Sequence, residues 1–335
     1  MNHDEIRQQL QRFLGAQLGH HNFVISVLRK IGVGRSRQNW MFELSPSLGD
    51  GDGDGPESLI LRRDPDGGLV DTDRAIEFKV LQALTTSSLR TPPLPRWLDA
   101  TGEWMGRPSL IMRSEPGTCD YGLLNGGLPL EERLKYAVLL CGLLHEVHIA
   151  DWREIGLSDV FDDPGTNAAL HQLHTWIDIL RRDQLEPFPE VEYAIRWLDE
   201  RAPICERTVL VHGDFKPGNV LVHDGEISAL LDWELAHLGD PLEDLGWVTQ
   251  PMRGREHLIA DHWEREDLIA EYERLSMRPV DPHALAWWQT FSTFKTAVMQ
   301  VTGLRAFLEE RSDEPYRPTR RVLGTLLRQT GARED

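Results

Sequence analysis

Two short apolar stretches that each end in an acidic residue constrain this chain more than any other feature. The first, Leu210-Val211, runs into His212-Gly213-Asp214, and the second, Ala229–Leu231, runs into Asp232-Trp233-Glu234. Short apolar runs bounded in this way are typical of buried strands. The sequence therefore predicts two strands, each of which ends in a carboxylate.

A hairpin signal lies between these two acidic ends. Asp224-Gly225 separates two apolar runs, and Asp-Gly supplies the positive φ angles of a tight turn. Asn219 precedes the first strand of the hairpin, and Asp232 follows the second. Folding the hairpin should therefore bring an amide and an acid together beside Asp214.

Asp214, Asn219 and Asp232 suit metal-assisted phosphoryl transfer. That reaction needs a carboxylate facing the attacking hydroxyl and oxygen ligands that hold Mg²⁺ against the phosphates. Asp214 is the candidate base, and Asn219 and Asp232 are the candidate metal ligands. Asp214 and Asn219 are five positions apart, which is the spacing of these residue types in the catalytic loop of protein kinases.

The order of these motifs resembles the aminoglycoside phosphotransferase-like kinase family. The resemblance rests on His212-Gly213-Asp214 with Asn219, on Asp232-Trp233-Glu234, and on Gly239-Asp240-Pro241 followed by Asp244-Leu245-Gly246. Within the family, the sequence from Asp232 to Pro241 is most similar to kinase domains fused to, or encoded near, acyl-CoA dehydrogenases. The resemblance implies ATP and Mg²⁺ as cofactors and a small-molecule hydroxyl group as phosphoryl acceptor.

Several residues of this segment are expected to support the site rather than touch substrate. Asp240-Pro241 with Glu243 reads as the N-cap, first proline and third-position acid of a helix. Asp244 and His212 are expected to brace the catalytic loop, which is the segment from His212 to Asn219. Lys216 is expected either to neutralise charge on the transferring phosphoryl group or to point to solvent.

The resemblance implies an α+β, bilobal, protein-kinase-like fold, with a small β-rich N-terminal lobe and a larger, mostly helical C-terminal lobe. Residues 1–112 would form the nucleotide-binding lobe, and residues 113–335 the catalytic and substrate-binding lobe. Apolar periodicity predicts helices over residues 4–18, 72–84, 130–149, 167–182, 190–201, 265–275 and 284–307. Strands are expected over residues 23–31, 39–44, 58–63, 96–98 and 109–112.

The third predicted strand, residues 58–63, carries the candidate phosphate anchor. Period-two alternation places Ile60 and Arg62 on one face, so Ile60 would meet adenine and Arg62 the phosphates. Aminoglycoside enzymes usually have lysine here, whereas arginine is usual in the branch that this chain resembles. Glu77, on the following helix, is the ion-pair partner that the kinase arrangement demands for Arg62.

Two further segments are expected to contact the nucleotide. Gly34 and Ser36 lie in a turn where the family carries its nucleotide-covering loop, although two glycines between strands also suit an ordinary hairpin. Met112–Ser114 is expected to form the hinge, whose backbone groups would bind adenine.

Composition limits the remaining possibilities. The formal charge of −18 argues against nucleic acid as a partner. Charged residues through the first twenty positions argue against a secretory signal, and apolar runs are too short for a membrane span, so a cytoplasmic location without membrane association is expected. Three widely spaced cysteines predict free thiols. The sequence leaves open whether the donor is ATP or GTP, and it says nothing about the oligomeric state.

The identity of the acceptor stays open between alternatives. The branch resembled suggests a hydroxyacyl-CoA or a related hydroxy acid, and the arginine-rich tail from Arg305 to Arg333 could contact such an anion or lie in solvent. An aminoglycoside, macrolide or amino-alcohol kinase is the second alternative, with pocket acids supplied by Asp261, Glu264, Glu266, Asp267 and Glu271. A nucleotide-binding pseudokinase without turnover is the third.

Overall fold

The computed structural model describes residues 3–31, 38–46, 55–87, 89 and 93–331. The N-terminal part contains α1 (His3–Leu18), β1 (Phe23–Ile31), β2 (Gln38–Pro46), β3 (Glu57–Arg63), α2 (Arg74–Leu84), β4 (Pro95–Asp99) and β5 (Ser109–Arg113). These bounds agree with the predicted elements to within a few residues.

The C-terminal part is mostly helical. Its helices are α3 (Leu130–Ile149), α4 (Ala168–Asp183), α5 (Pro189–Glu200), α6 (Pro241–Thr249), α7 (Gly254–His257), α8 (Arg265–Ser276), α9 (Pro282–Leu308) and α10 (Arg320–Gln329). Its strands are β6 (Val209–Val211), β7 (Val220–His223), β8 (Glu226–Leu230) and β9 (His237–Gly239). The prediction of a small β-rich lobe and a larger helical lobe is confirmed.

The N-terminal sheet separates an inner and an outer apolar layer. Its five strands are antiparallel in the order β1-β2-β3-β5-β4. Leu59 and Leu61 of β3 point to the outer layer, where they pack with the buried side of α1. Ile60 points to the opposite face, toward the rest of the molecule. The alternation read from the sequence therefore places Arg62 on the inner face of the sheet.

The largest apolar core joins the two parts of the chain. Leu81 of α2 and Met112 of β5 belong to the same buried cluster as Leu140 of α3 and Phe215 of the catalytic loop. A shared core limits independent movement of the parts, because separating them would expose apolar surface. The predicted boundary between residues 112 and 113 stays a prediction.

The second core of the C-terminal part is built around α9. Trp287, Trp288, Phe291 and Phe294 are each at most 1% exposed, and they pack with residues of α4, α5 and α10. A helix that is apolar on all sides must be covered on all sides. This aromatic group is therefore core, and α10, which the sequence reading did not predict, provides part of its cover.

The hairpin that carries Asn219 forms as predicted. Val220 pairs with Leu230 across β7 and β8, and the turn has φ angles of 49° at Asp224 and 79° at Gly225. The antiparallel pairing of β6 with β9 was not anticipated. It folds the chain after Asp232 back against the strand that leads into Asp214.

Three arginines of the basic C-terminal segment form ion pairs. Arg305 and Arg311 both contact Glu309, and Arg317 contacts Glu186. All three cysteines carry free thiols, as predicted. Within the described ranges, the helices lack the combination of length and apolar character that crossing a bilayer would require.

Candidate functional site

Asp214, Asn219 and Asp232 come together around the base of the hairpin. The Asn219 side-chain amide donates to the Asp214 carbonyl oxygen at 2.9 Å and lies 3.3 Å from Asp214 Oδ2. The Asn219 carbonyl accepts a hydrogen bond of 2.7 Å from the backbone of Leu231, the residue before Asp232. The hairpin register thus places the end of β8 beside the start of β7, as the sequence predicted.

Asp232 occupies an unusual backbone conformation. Its φ of 73° and ψ of 52° lie in the left-handed region, which non-glycine residues adopt at a cost of about 1–3 kcal/mol. The turn directs the chain out of β8 into the single helical turn at Trp233–Leu235. Asp232 therefore lies at a sharp corner, with its side chain 8% exposed.

Arg62 covers this group from the N-terminal sheet. Its Nη1 donates to Glu77 Oε1 at 2.6 Å, and its Nη2 donates to Asp232 Oδ1 at 2.9 Å. Arg62 and Glu77 are 7% and 1% exposed. The predicted pair between Arg62 and Glu77 is present, and the same guanidinium also reaches the candidate metal ligand on the other lobe.

Arg74 is a second buried arginine of this network, and the sequence reading missed it. Its Nε donates to Asp64 Oδ1 at 2.6 Å, its Nη1 contacts Glu77, and its Nη2 lies 3.6 Å from Glu234 Oε2. Burial alone would lower the pKa of Arg74, but the surrounding carboxylates raise it above its ordinary value. The spacing of three positions between Arg74 and Glu77 on a helix was the available signal.

Asp244 anchors the backbone of the catalytic loop. Its carboxylate accepts from the backbone N–H of His212 at 2.7 Å and of Gly213 at 2.9 Å, and it lies 3.2 Å from His148 Nε2. Burial raises the pKa of Asp244, but these donors outweigh burial and lower it to about 2. Asp244 braces the loop as expected, and His148 is the partner that the sequence did not reveal.

Two features around Gly213 fix the course of the loop. His212 Nε2 lies 3.0 Å from the Leu231 carbonyl, and burial lowers the pKa of His212, so its ring stays neutral. Gly213 has a φ of 80°, and a Cβ atom there would lie 2.6 Å from the Leu235 carbonyl oxygen. Only glycine fits this position, because both the backbone angle and the close approach exclude a side chain.

The two oxygens of Asp214 have different surroundings. Lys216 forms an ion pair with Oδ2. The other oxygen, Oδ1, is buried and has no hydrogen-bond partner among the described residues. A buried carboxylate oxygen without a donor is costly, so it marks a position where a ligand hydroxyl could bind.

The predicted adenine contacts are only partly available. Ile60 and Met112 are paired in the register of β3 and β5. The backbone N–H of Ser114, however, donates to the Ser58 carbonyl at 2.8 Å. Adenine binding through the Ser114 N–H would require this bond to break. The adenine contacts expected from Ile60 and Met112 stay predictions. Gly34 and Ser36 lie outside the described residues.

A cavity of about 300 Å³ lies beside the catalytic loop. It is lined by the segment before α2, by α4, by residues 234–237 and by Lys295 of α9. Leu235 and Lys295 each contact Gly213, so the cavity adjoins the residue before Asp214. The cavity therefore lies close to the candidate base.

The acids predicted for the acceptor pocket do not line this cavity. They are Asp261, Glu264, Glu266, Asp267 and Glu271, and they lie on or just before α8, which packs on α3. Glu264 and Asp267 form a capping box at the start of α8, and Glu271 pairs with Arg274. Helix capping and local pairing therefore account for three of these five acids. The acids that do line the cavity are Asp71, Asp73 and Glu234.

Carboxylate and amide oxygens are suitable ligands for Mg²⁺. Within the described ranges, no group of three or more histidine, cysteine, aspartate or glutamate side chains is arranged as a metal cage. Magnesium in nucleotide-dependent enzymes typically uses one or two protein ligands together with phosphate oxygens and water. Asn219 and Asp232 match that pattern.

The comparisons with known proteins agree with this geometry. The family model described as the phosphotransferase enzyme family matches residues 27–287. Acyl-CoA dehydrogenase family member 10 of Mus musculus is 30% identical over 244 residues, which cover 71% of this chain and 21% of that protein. Acyl-CoA dehydrogenase family member 11 of Rattus norvegicus is 29% identical over 279 residues, which cover 78% of this chain and 35% of that protein. The chain thus spans about a fifth to a third of these relatives.

Solved structures show the same fold. A putative aminoglycoside phosphotransferase from Ralstonia eutropha superposes with a TM-score of 0.70 at 20% identity, covering 98% of this chain and 99% of that one. A thermostable mutant of aminoglycoside phosphotransferase APH(4)-Ia, in a ternary complex with AMP-PNP and hygromycin B, superposes with a TM-score of 0.61 at 17% identity. That comparison covers 97% of this chain and 98% of the other.

Proposed function

Because this chain belongs to the phosphotransferase enzyme family, we propose that it transfers the γ-phosphoryl group of ATP to a hydroxyl group of a small molecule. The observation that carries this proposal is the convergence of Asp214 and Asn219 at the base of the hairpin, with Arg62 bonded to Asp232 above them. A positioned carboxylate, two oxygen ligands and a buried cation are the parts that phosphoryl transfer uses.

ATP is the proposed donor, and Mg²⁺ the proposed metal. A related fold binds the ATP analogue AMP-PNP, and Arg62 on the inner face of β3 bonds to Asp232 of the other lobe. Asn219 and Asp232 would hold the metal, which supplies charge neutralisation at the phosphates when bound. Arg62, held by Glu77 through Nη1 and by Asp232 through Nη2, would order the phosphates through its positive charge.

Asp214 would orient the acceptor hydroxyl. Its unpartnered Oδ1 can accept the hydroxyl proton, while Oδ2 is fixed by Lys216. A carboxylate is a weak base for an alcohol, so its main contribution is orientation, followed by capture of the proton as the bond to phosphorus forms. Asp244 holds the backbone N–H groups of His212 and Gly213, which limits movement of the loop that carries Asp214.

A hydroxyacyl-CoA or a related hydroxy acid is the proposed acceptor class. Two observations support it. The curated relatives are acyl-CoA dehydrogenase family members, and apolar side chains, among them Val70, Ile76 and Ile179, line part of the cavity. The apolar walls suit an acyl chain.

The proposal is tested by screening phosphate transfer from Mg²⁺-ATP. The panel contains hydroxyacyl-CoAs, free hydroxy acids, aminoglycosides, macrolides and amino alcohols, and products are detected by mass spectrometry. Asp214→Asn is expected to abolish transfer while nucleotide binding persists. Asp224→Asn is the matched control, because asparagine also suits the exposed hairpin turn.

Each result of the screen has a defined meaning. Phosphorylation of a hydroxyacyl-CoA or hydroxy acid supports the proposed acceptor class, whereas phosphorylation of an aminoglycoside, macrolide or amino alcohol replaces it. Binding of ATP without any transfer would favour a nucleotide-binding pseudokinase. Transfer by Asp214→Asn at the wild-type rate would refute the role proposed for Asp214.

A further inference from the structure

Lys295 carries a charged group inside the helical lobe, on α9, and is 2% exposed. Its Nζ donates to the Gly213 carbonyl at 2.9 Å and lies 3.4 Å from Glu243 Oε1. The rings of Trp176 and Trp247 flank the ammonium, and each ring centroid is 5.2 Å away. Burying an ammonium is costly unless protein groups replace its water, so these partners must compensate for that loss.

The carbonyl that Lys295 holds belongs to the peptide bond between Gly213 and Asp214. The N–H of the same peptide donates to His212 Nδ1 at 3.2 Å. Both polar groups of this planar peptide are therefore hydrogen-bonded: the carbonyl to the Lys295 ammonium and the N–H to the His212 imidazole. Because the peptide plane sets the direction in which the Asp214 side chain leaves the backbone, Lys295 controls that direction without touching the carboxylate.

A second set of contacts holds Lys295 in place through Glu243. Glu243 Oε2 lies 3.0 Å from His237 Nε2, and His237 Nδ1 lies 2.9 Å from the Leu235 carbonyl. Both ring nitrogens face acceptors, which only the doubly protonated ring satisfies. Burial lowers the pKa of His237, but the Glu243 carboxylate outweighs burial and raises it above the ordinary value. The contacts end at Leu235, which packs against Gly213.

We infer that Lys295 is a positioning residue for the phosphoryl transfer proposed above: it fixes the Gly213–Asp214 peptide and thereby the direction of the Asp214 carboxylate. The inference rests on the proposed function, since it concerns the rate of that reaction. A lysine with a purely structural role would change stability but not the rate per folded molecule. Lys295 also lines the cavity, so small molecules can reach its surroundings.

The test compares Lys295→Met and Lys295→Ala with the wild-type chain. Lys135→Met is the matched control, because Lys135 also donates to a backbone carbonyl, Gly225 at 2.8 Å, and to a carboxylate, Glu226 at 2.7 Å, but on the exposed surface. The assay is release of ADP from Mg²⁺-ATP, measured with water and with the acceptor panel. Thermal unfolding reports whether each variant is folded.

We expect kcat of Lys295→Met to fall roughly 10- to 100-fold, since a displacement of about 1 Å can reduce a rate about 100-fold. The KM for ATP should stay within about twofold of wild type, because the nucleotide contacts lie elsewhere. Methylamine or ethylamine, which fits the space left in Lys295→Ala, should restore part of the lost rate. Lys135→Met should turn over at the wild-type rate.

Wild-type kcat in folded Lys295→Met, together with no amine response in Lys295→Ala, would overturn the inference and leave the proposed function intact. No ADP release from the wild-type chain under any condition would refute the proposed function and the inference with it. If Lys295→Met does not fold, Lys295→Gln decides the matter. Glutamine is shorter than lysine and uncharged, so it loses the bond to the Gly213 carbonyl; a reduced kcat supports the inference and an unchanged kcat overturns it.

Discussion

Replacing Asp244 by asparagine should lower the free energy of unfolding by about 2 kcal/mol at pH 7. The Asp244 carboxylate is fully buried, and its donors hold its pKa at about 2, compared with an ordinary value of 3.8. Each pKa unit corresponds to about 1.4 kcal/mol of differential interaction. An asparagine side chain can replace only one of the two acceptor oxygens, and its amide group would face a backbone N–H.

The stabilisation from Asp244 has a defined pH dependence. Because its folded-state pKa is depressed, the stabilisation is fully present above pH 3.8 and is lost as the pH falls toward about 2. Urea unfolding of wild type and Asp244→Asn, followed by tryptophan fluorescence, should therefore show a difference at pH 7 that shrinks below pH 4. Turnover of Mg²⁺-ATP should fall as well, since the loop that carries Asp214 loses one of its two anchors.

Asp281→Asn is the control for this experiment. The Asp281 side chain caps α9 by accepting from the backbone N–H of His283 at 2.9 Å, and asparagine caps helices equally well. Its unfolding free energy should stay within about 0.5 kcal/mol of wild type. A similarly small change in Asp244→Asn, or a difference that does not depend on pH, would refute the reasoning about Asp244.

Three further predictions concern the same region. Arg62→Met should lower the free energy of unfolding by about 3 kcal/mol, because buried carboxylates lose a guanidinium. It should also weaken ATP binding measured by calorimetry, and Arg62→Lys should lose less of both. An ATP affinity of Arg62→Met equal to that of the wild-type chain would contradict the phosphate role. Gly213→Ala should abolish turnover, because the new Cβ meets the Leu235 carbonyl; an active Gly213→Ala would show that the loop tolerates strain. The raised pKa of His237 means that its pairing with Glu243 stabilises the fold below the ordinary histidine pKa and is lost as pH rises through the folded-state value. The free energy of unfolding should therefore decrease less above neutral pH in His237→Gln than in the wild-type chain. Identical pH profiles of the two proteins in urea unfolding would contradict this.

Local sequence determined the elements that carry the site. Asp224-Gly225 fixed a tight turn, and the hairpin that it closes brings Asn219 beside the end of β8. A bulge between Leu221 and Val222, which the turn does not determine, shifts the pairing by one residue on the way. The alternation in β3 fixed the face on which Arg62 lies. These features depend on neighbours along the chain, so they could be read without coordinates.

Contacts between distant parts of the chain could not be read in that way. Glu243 looked like an acid at the start of a helix, yet it lies between Lys295 and His237. The five acids before and on α8 looked like a substrate pocket, yet Glu264 and Asp267 cap the helix and Glu271 pairs with Arg274. Residue type and spacing give the chemistry of a side chain but not the side chains that it meets across the fold.

The sequence by itself determined the kinase-like order of the motifs, the strand that carries Arg62 and the meeting of Asp214, Asn219 and Asp232. Only the tertiary structure decided that Arg74 shares Glu77, that the cavity adjoins Gly213 and that Lys295 holds the peptide next to Asp214. The physical reason is that turn geometry and side-chain alternation are local properties. The position of a buried ammonium, in contrast, depends on how α4, α6 and α9 pack together.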